Sequence, residues 1–442
     1  MTSAPEQRSS VPAVGRSVLW MVLTRAALLP LGLAQGAVLA RQLGPAGLGR
    51  YSALLVDANL LVALAGWGLP GALSVLLGQE PGRLRALVHI ALRHGLVVLV
   101  APAAAVVLAA TLWPALPAMV SRTPQEVALV AVLCICQYVR DVLGALLLGG
   151  QLFGAQNRQA VLLSLFQIAL LLILAGLGRL DALSALSVQI AGNVLLSVLA
   201  ARALVATRWP VSVPAAGLAA EARRIGVRNF LHLLPDLLLM RIDVYLIQGL
   251  LRRATAQTEL GLYQAGVRIA ELVLLVPSAL NAVLFAKAAA REDLTRITVA
   301  GAKLSMYLGL ACLLAMAFLG RPVLILLFGP RFAGSFLPCL LVLLGCSALC
   351  LGGPLAGTLA GAGAYPRSVI LAQVVALLVN VGANVVLIPP LGAVGAGAAS
   401  ALAYAVSTAV IAGGFCRRFG ISPLELLRPE RPQTLLRWAK GG

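Results

Sequence analysis

The sequence predicts an all-α integral membrane protein of twelve transmembrane helices in two six-helix lobes. Composition is the first ground. Of 442 residues, 60% are hydrophobic and only 11% are Asp, Glu, Lys or Arg, whereas soluble domains run near 25% charged. Mean hydropathy is +0.97. Window length is the second ground: the apolar stretches run to about 20 residues, enough at about 1.5 Å per residue to cross a hydrocarbon layer of about 30 Å. The third is a hydrophilic break, TRWPVSVPAAGLAAEARRI at 207–225, which leaves six windows on either side. A soluble enzyme, a disordered chain and a disulfide scaffold are excluded.

Charged or turn-rich breaks delimit each element. After an N-terminal tail (1–16), the first lobe (17–206) has windows at 17–40, 51–77, 88–112, 125–149, 160–178 and 183–206. The linker 207–225 leads to a second lobe (226–414) with windows at 226–251, 261–286, 304–320, 338–359, 368–389 and 394–414, and then a tail, 415–442. No break is long enough for a separate soluble domain.

Basic residues orient the chain. Thirty-four Lys+Arg against fifteen Asp+Glu give a net charge of +19, which in a soluble chain would suggest nucleic acid. Here the excess fits the positive-inside rule. Segments on the side of the N-terminus include Arg83, Arg85, Arg158, Arg208, Arg223, Arg224, Lys287 and six cations of the tail. The opposite side has Arg41, Arg50, Arg122, Arg179, Arg252, Arg253, Arg321 and Arg331. The richer side holds twenty and the poorer eight, so both termini are expected in the cytoplasm.

The halves echo each other. Leu48-Gly49-Arg50-Tyr51 precedes and opens the second window, and Leu260-Gly261-Leu262-Tyr263 does the same for the eighth, 212 residues on. Gly154-Ala155-x-x-Arg158 and Gly363-Ala364-x-x-Arg367 are 209 apart. Similar offsets at equivalent places indicate duplication, and repeated helix bundles about a cavity are a transporter signature.

Charges inside the windows point to the site. Arg25, Arg93, Arg140, Arg228, Arg241 and Arg268 lie within spans, each costing about 2.5–3.5 kcal/mol at a helix centre unless it meets a partner or cavity. Arg93 and Arg228 lie near span ends, from which they can snorkel. Arg25, Arg140, Arg241 and Arg268 are deeper and are the candidate anion-binding residues. Five carboxylates, Asp57, Asp141, Asp236, Asp243 and Glu271, are also intramembrane. Arg268 and Glu271, spaced i, i+3, share a face and pair, an arrangement that also suits a self-neutralising structural couple. Arg228, His232 and Asp236 form a polar stripe continued by Asp243, expected to face the bundle interior. His89 and Arg93 form a second i, i+4 couple near the inner end of the third window. Prolines 30, 70, 102, 235, 277 and 354 fall within spans and permit kinks.

Cys134, Cys136, Cys312, Cys339, Cys346 and Cys350 lie in apolar spans without His or carboxylate neighbours at metal-site spacing, and read as small core hydrophobes. No P-loop or His-Glu-x-x-His motif is present, so neither a catalytic residue nor a metal or cofactor site is assigned. With no ATP site, transport would run on an ion gradient, membrane potential or mass action.

Four motifs carry a family resemblance: Leu39 to Tyr51 (LARQLGPAGLGRY), Gly261 to Glu271 (GLYQAGVRIAE), Leu327 to Phe332 (LFGPRF) and Ile388 to Ala398 (IPPLGAVGAGA). In this order they resemble the polysaccharide-transport, Wzx-type flippases of the multidrug/oligosaccharidyl-lipid/polysaccharide (MOP) exporter superfamily. The resemblance implies two six-helix lobes forming a V-shaped central cavity in a bacterial inner membrane. It implies a polyprenyl-linked oligosaccharide as substrate, flipped from the cytoplasmic to the periplasmic leaflet by alternating access. Membrane lipids and other polysaccharide-assembly membrane proteins are the implied partners. Arg25 and Arg268 match positions where related flippases place cavity arginines, with Arg140 and Arg241 completing the head-group site. Asp57, Asp236, Asp243 and Glu271 are coupling or structural partners, coupling being to H+ or Na+. Where the sequence departs from the family, Lys is nearly absent and no cation-site motif stands out. The alternative within the superfamily is a cation-coupled drug antiporter, whose cavity should favour acids over arginines. A polysaccharide polymerase or ligase would need a large outer loop, and a scaffold without transport would tolerate neutral replacement of its buried charges.

Overall fold

The computed structural model describes residues 11–95, 123–210, 217–275, 277, 278, 280, 295–363 and 367–428, with side chains from Leu28 onward in the first helix. All regular structure among them is helical. Eight described segments are long and apolar enough to cross a membrane, which makes this a multi-pass helical membrane protein. The expected windows 88–112 and 261–286 and the linker 207–225 run partly outside the described residues, as does Pro102.

The helices are α1 (Val11–Gly66), α2 (Leu69–Gln79), α3 (84–95), α4 (Pro124–Gly149), α5 (Phe153–Gly176) and α6 (Ala182–Ala206). They continue with α7 (Leu218–Leu250), α8 (Arg253–Ala270), α9 (Thr295–Phe328), α10 (Phe336–Gly363), α11 (Arg367–Leu391), α12 (Ala393–Phe419) and the short α13 (Pro423–Leu427). By contact the chain forms two compact units, with changes of unit at residues 38/39, 60/61 and 229/230 among the described residues. The first includes α2 to α6 and the start of α7; the second includes residues 39–60 and everything from Phe230 on.

The anticipated break at 41–50 falls at Gly44, with φ 65° and ψ −179°, where two helical segments of α1 meet in a kink. Glycine takes that positive φ freely, and Pro45, lacking an N–H, starts the next helical segment well. One expectation is corrected: the anticipated second window is interrupted at Trp67 and Gly68, both at positive φ. Pro70 therefore sits in the first turn of α2, where it fits without kinking the helix. Pro235 and Pro354 do lie inside α7 and α10. Ahead of Pro277, α8 tightens into a 3-10 turn at Glu271–Leu274, as a ring that removes an intrahelical hydrogen bond favours.

In the first unit α4 packs on α2 and α6, and α5 on α6. The N-terminus of α6 is fixed by a capping box: the Ser184 N–H donates to Asp181 Oδ1 at 2.7 Å and the Asp181 N–H to Ser184 Oγ at 2.8 Å, which satisfies two orphan donors. In the second unit α10 packs on α9 and α12, and α12 on α11, around Leu351, Leu355, Leu359 and Phe415. Helix ends here are closed by other elements. Arg41 donates to the Leu327 carbonyl at 3.0 Å and to the Leu326 carbonyl, capping α9. The Glu259 carboxylate accepts the Ala393 N–H at 2.8 Å, capping α12. Each charge has the sign its helix dipole attracts.

The repeated Leu-Gly-x-Tyr motif finds a physical reason in the second unit. Its two copies cross there at backbone contact. A Cβ on Gly49 would lie 2.9 Å from the Gln257 carbonyl carbon and from the Gly261 nitrogen. One on Gly261 would overlap the Pro45 carbonyl. Small residues permit such an approach in a membrane, where association relies on close van der Waals packing. Tyr51 and Tyr263 are both buried.

Candidate functional site

The polar interior of the second unit is built around Asp243, which is 1% exposed and lies on α7. Three other helices supply its donors. Tyr263 Oη (α8) donates to Oδ2 at 2.5 Å, Ser400 Oγ (α12) to Oδ2 at 2.9 Å, and Asn384 Nδ2 (α11) to Oδ1 at 2.6 Å. Asn384 Nδ2 also donates to Asn380 Oδ1 at 2.8 Å, and the Tyr263 and Ser400 hydroxyls are 2.9 Å apart. Asn380, Asn384 and Ser400 are fully buried. Burying a carboxylate in a bilayer is costly, and a full set of donors is what makes it tolerable. Two amide atoms remain without partners among the described residues, Asn384 Oδ1 and Asn380 Nδ2. Turned over, Asn384 would present Oδ1 to join Asp243 Oδ1 and Asn380 Oδ1, an all-oxygen set of the kind hard cations take.

The sequence marked Asp243 but not Asn380, Asn384, Ser400 or Tyr263. The signal available was the i, i+4 Asn pair in the apolar stretch after Gln373, two buried amides that need partners.

A second cluster in this unit joins α7 to α8. Arg241 Nη1 donates to Glu271 Oε1 at 3.1 Å, each side chain about a third exposed (31% and 29%). The expected Arg268–Glu271 couple is therefore replaced, because α7 brings a guanidinium directly to Glu271. Arg268 lies within electrostatic range of Arg241, Glu271 and Tyr51 but makes no hydrogen bond or ion pair among the described residues. Asp236, half-buried on α7, is within electrostatic range of Arg241. Asp57 is half-buried in the same unit.

Arg140 belongs to the first unit. Its Nε and Nη2 donate to the adjacent Asp141 Oδ1 at 3.0 and 2.7 Å, and its Nη1 to Asn193 Oδ1 at 2.9 Å, so most of its donors are spent on neighbours. Beside it a chain of amides links α1, α5 and α6: Gln35 Nε2 donates to Gln167 Oε1 at 3.3 Å, and Gln167 Nε2 to Gln189 Oε1 at 2.9 Å. Arg25 is on α1, its side chain outside the described ones. All seven cysteines are free, five of them buried, and no cluster of three or more metal-ligating side chains occurs among the described residues.

No protein-family model matches the chain, and no curated protein sequence does. Solved structures do. The lipid II flippase MurJ in an inward closed conformation superposes with a TM-score of 0.72 at 12% identity, covering 93% of this chain and 89% of that one. An inward-facing multidrug resistance MATE family transporter of the MOP superfamily gives 0.63 at 15% identity, covering 90% and 98%. A MOP superfamily transporter from Pyrococcus furiosus, for which a reverse polarity of the binding pocket suggests a different function, gives 0.63 at 16%, covering 94% and 96%. Across nearly its whole length the chain has the fold of these transporters.

Proposed function

We propose that this protein is a flippase for undecaprenyl-pyrophosphate-linked oligosaccharide in cell-surface polysaccharide biosynthesis. It lies in a bacterial inner membrane with both termini in the cytoplasm, and moves its cargo to the periplasmic leaflet by alternating access. The observation that carries this reading is Arg268, an intramembrane guanidinium with no ion pair among the described residues, set beside the Arg241–Glu271 couple. A cation kept without an internal counter-ion is costly unless an external anion meets it, and the planar guanidinium fork fits phosphate oxygens bidentately. Arg241 is free to exchange Glu271 for the same anion; Arg25 and Arg140 are the candidate head-group residues of the first unit. Glu271 then serves as the internal stand-in that neutralises the site when the cargo has left.

Asp243 is the coupling residue in this mechanism. A proton or Na+ neutralising it would weaken the acceptor that Tyr263, Asn384 and Ser400 share, and Asn384 turned over would offer its Oδ1 to a cation beside Asp243. Asp57 and Asp236 are the remaining coupling or structural carboxylates. Ion binding thereby changes how four helices hold together, which is what an ion-driven conformational cycle needs.

A second reading, a cation-coupled drug antiporter, is favoured by one observation. The second unit holds four intramembrane carboxylates, Asp57, Asp236, Asp243 and Glu271, against two described intramembrane arginines, Arg241 and Arg268. One experiment separates the two. A deletion strain is expected to accumulate an undecaprenyl-linked glycan on the cytoplasmic leaflet, cleared by the intact gene but not by Arg268→Ala, which still inserts into the membrane. No accumulation, together with raised sensitivity to cationic drugs, would establish the antiporter.

A further inference from the structure

Away from the clusters above, the first unit contains an open cleft of about 780 Å³ between α3 and the start of α7. Arg85, His89 and Arg93 line one wall. They are spaced i, i+4 and i+8, so all three project from one face of α3. Arg223, at the start of α7, and His94 also line it. No Asp or Glu is among the lining residues. Glu80, the nearest acid along the chain before α3, is engaged by Arg83 at 2.7 Å. Arg85, His89, Arg93 and Arg223 are exposed and make no ion pair or side-chain hydrogen bond among the described residues.

The cleft is held by its walls rather than formed by loose side chains. His94 Nε2 lies 2.9 Å from the Ala65 carbonyl, tying α3 to the end of α1. Gly226 seats α7 on the same joint, where a Cβ would come within 2.8 Å of the Trp67 carbonyl oxygen. Leu69, from the first turn of α2, lines the cleft between them, together with Ile90 and Leu218. Three guanidinium groups and two imidazoles thus stand over an apolar lining, on rigid helices anchored to one point.

We infer that this cleft binds a phosphate group, presented by an anionic phospholipid of the cytoplasmic leaflet. Guanidinium forks on two helices can grip separate phosphate oxygens. The apolar lining suits acyl chains and would gain nothing from a small soluble anion. Basic pockets between helices at the cytoplasmic membrane surface take anionic head groups by this combination. The inference rests on the orientation proposed above, which puts Arg85 and Arg223 on the cytoplasmic side, and is independent of which cargo is transported.

The test is native mass spectrometry of the intact protein, titrated with cardiolipin, with phosphatidylcholine and with inorganic phosphate. The wild-type protein should retain cardiolipin in preference to phosphatidylcholine. The triple variant Arg85→Gln/Arg93→Gln/Arg223→Gln should retain at least tenfold less, with an unchanged melting temperature because the altered side chains are exposed and unpaired. Arg417→Gln/Arg418→Gln, at the far end of α12, should bind as wild type does. Equal retention by the triple variant and the wild type would overturn the site. Phosphate that displaces cardiolipin, or binds with the same dependence on the three arginines while cardiolipin does not bind, would assign the cleft to a soluble phosphate compound and overturn the lipid.

Discussion

Replacing Gly261 by alanine tests whether the crossing of the two Leu-Gly-x-Tyr motifs holds the second unit together. A methyl group there would stand 2.6 Å from the Pro45 carbonyl carbon and 3.0 Å from the Pro45 Cα. Carbon atoms in contact prefer about 3.5–4.0 Å, so the two helices must part by about 1 Å. The obstacle is backbone, and no rotamer change can relieve it. Overpacking of this kind costs about 3 kcal/mol, which corresponds to a fall of about 6 °C in the melting temperature of a unit this size. The assay is thermal unfolding of the purified protein in detergent, followed by intrinsic fluorescence. Gly413→Ala supplies the control, because a Cβ on Gly413 in α12 meets nothing within 4 Å and should be neutral or slightly stabilising. Gly49→Ala should resemble Gly261→Ala, and the double variant should lose less than the sum, since one retreat of the helices accommodates both methyl groups. A Gly261→Ala protein that melts with the wild type would refute the close crossing.

Other expectations follow from the same geometry. Asp243→Asn replaces one acceptor oxygen by a donor in a site that already holds three donors, and should cost about 1–3 kcal/mol while abolishing ion-driven transport in proteoliposomes. Transport by that variant still responding to an imposed H+ or Na+ gradient would remove Asp243 from the coupling role. Asp181→Ala removes the cap of α6 and should lower stability by about 1 kcal/mol, read as a small melting shift with unaltered transport; loss of transport would show that the α6 terminus does more than cap. Arg268→Lys keeps the charge but not the fork, so export should fall well below wild type yet exceed that of Arg268→Ala. Equal export by the two variants would refute charge-dependent anion binding.

Composition and window length made the membrane class plain, because a chain with so few charges and such long apolar stretches has no soluble solution. They placed breaks less well. The break expected at 41–50 narrows to the kink at Gly44, whereas the one at Trp67 and Gly68 lies inside an apolar window and leaves no mark on hydropathy. Hydropathy measures where apolar residues stop, not where helical hydrogen bonding stops. The i, i+3 spacing of Arg268 and Glu271 suggested a couple within one helix, while Glu271 bonds to Arg241, 30 residues earlier. Local spacing shows which groups can meet on one helix and says nothing of a neighbour brought in by the fold. Asn380 and Asn384 carry no formal charge, so a reading by charge passes over them. Neutral amides cost enough in a bilayer to require partners: Asn384 finds one on Asp243, and Asn380 accepts from Asn384.

The Asp243 carboxylate has a consequence for dynamics. Three helices donate to a single acceptor on a fourth, so α7 cannot swing away without stranding a donor on each of the others. Their fluctuations are therefore correlated, and local opening in this part of the molecule is a collective event rather than a sum of independent frayings. The region has the layout of a clutch: a change at the shared acceptor loosens three helix contacts at once.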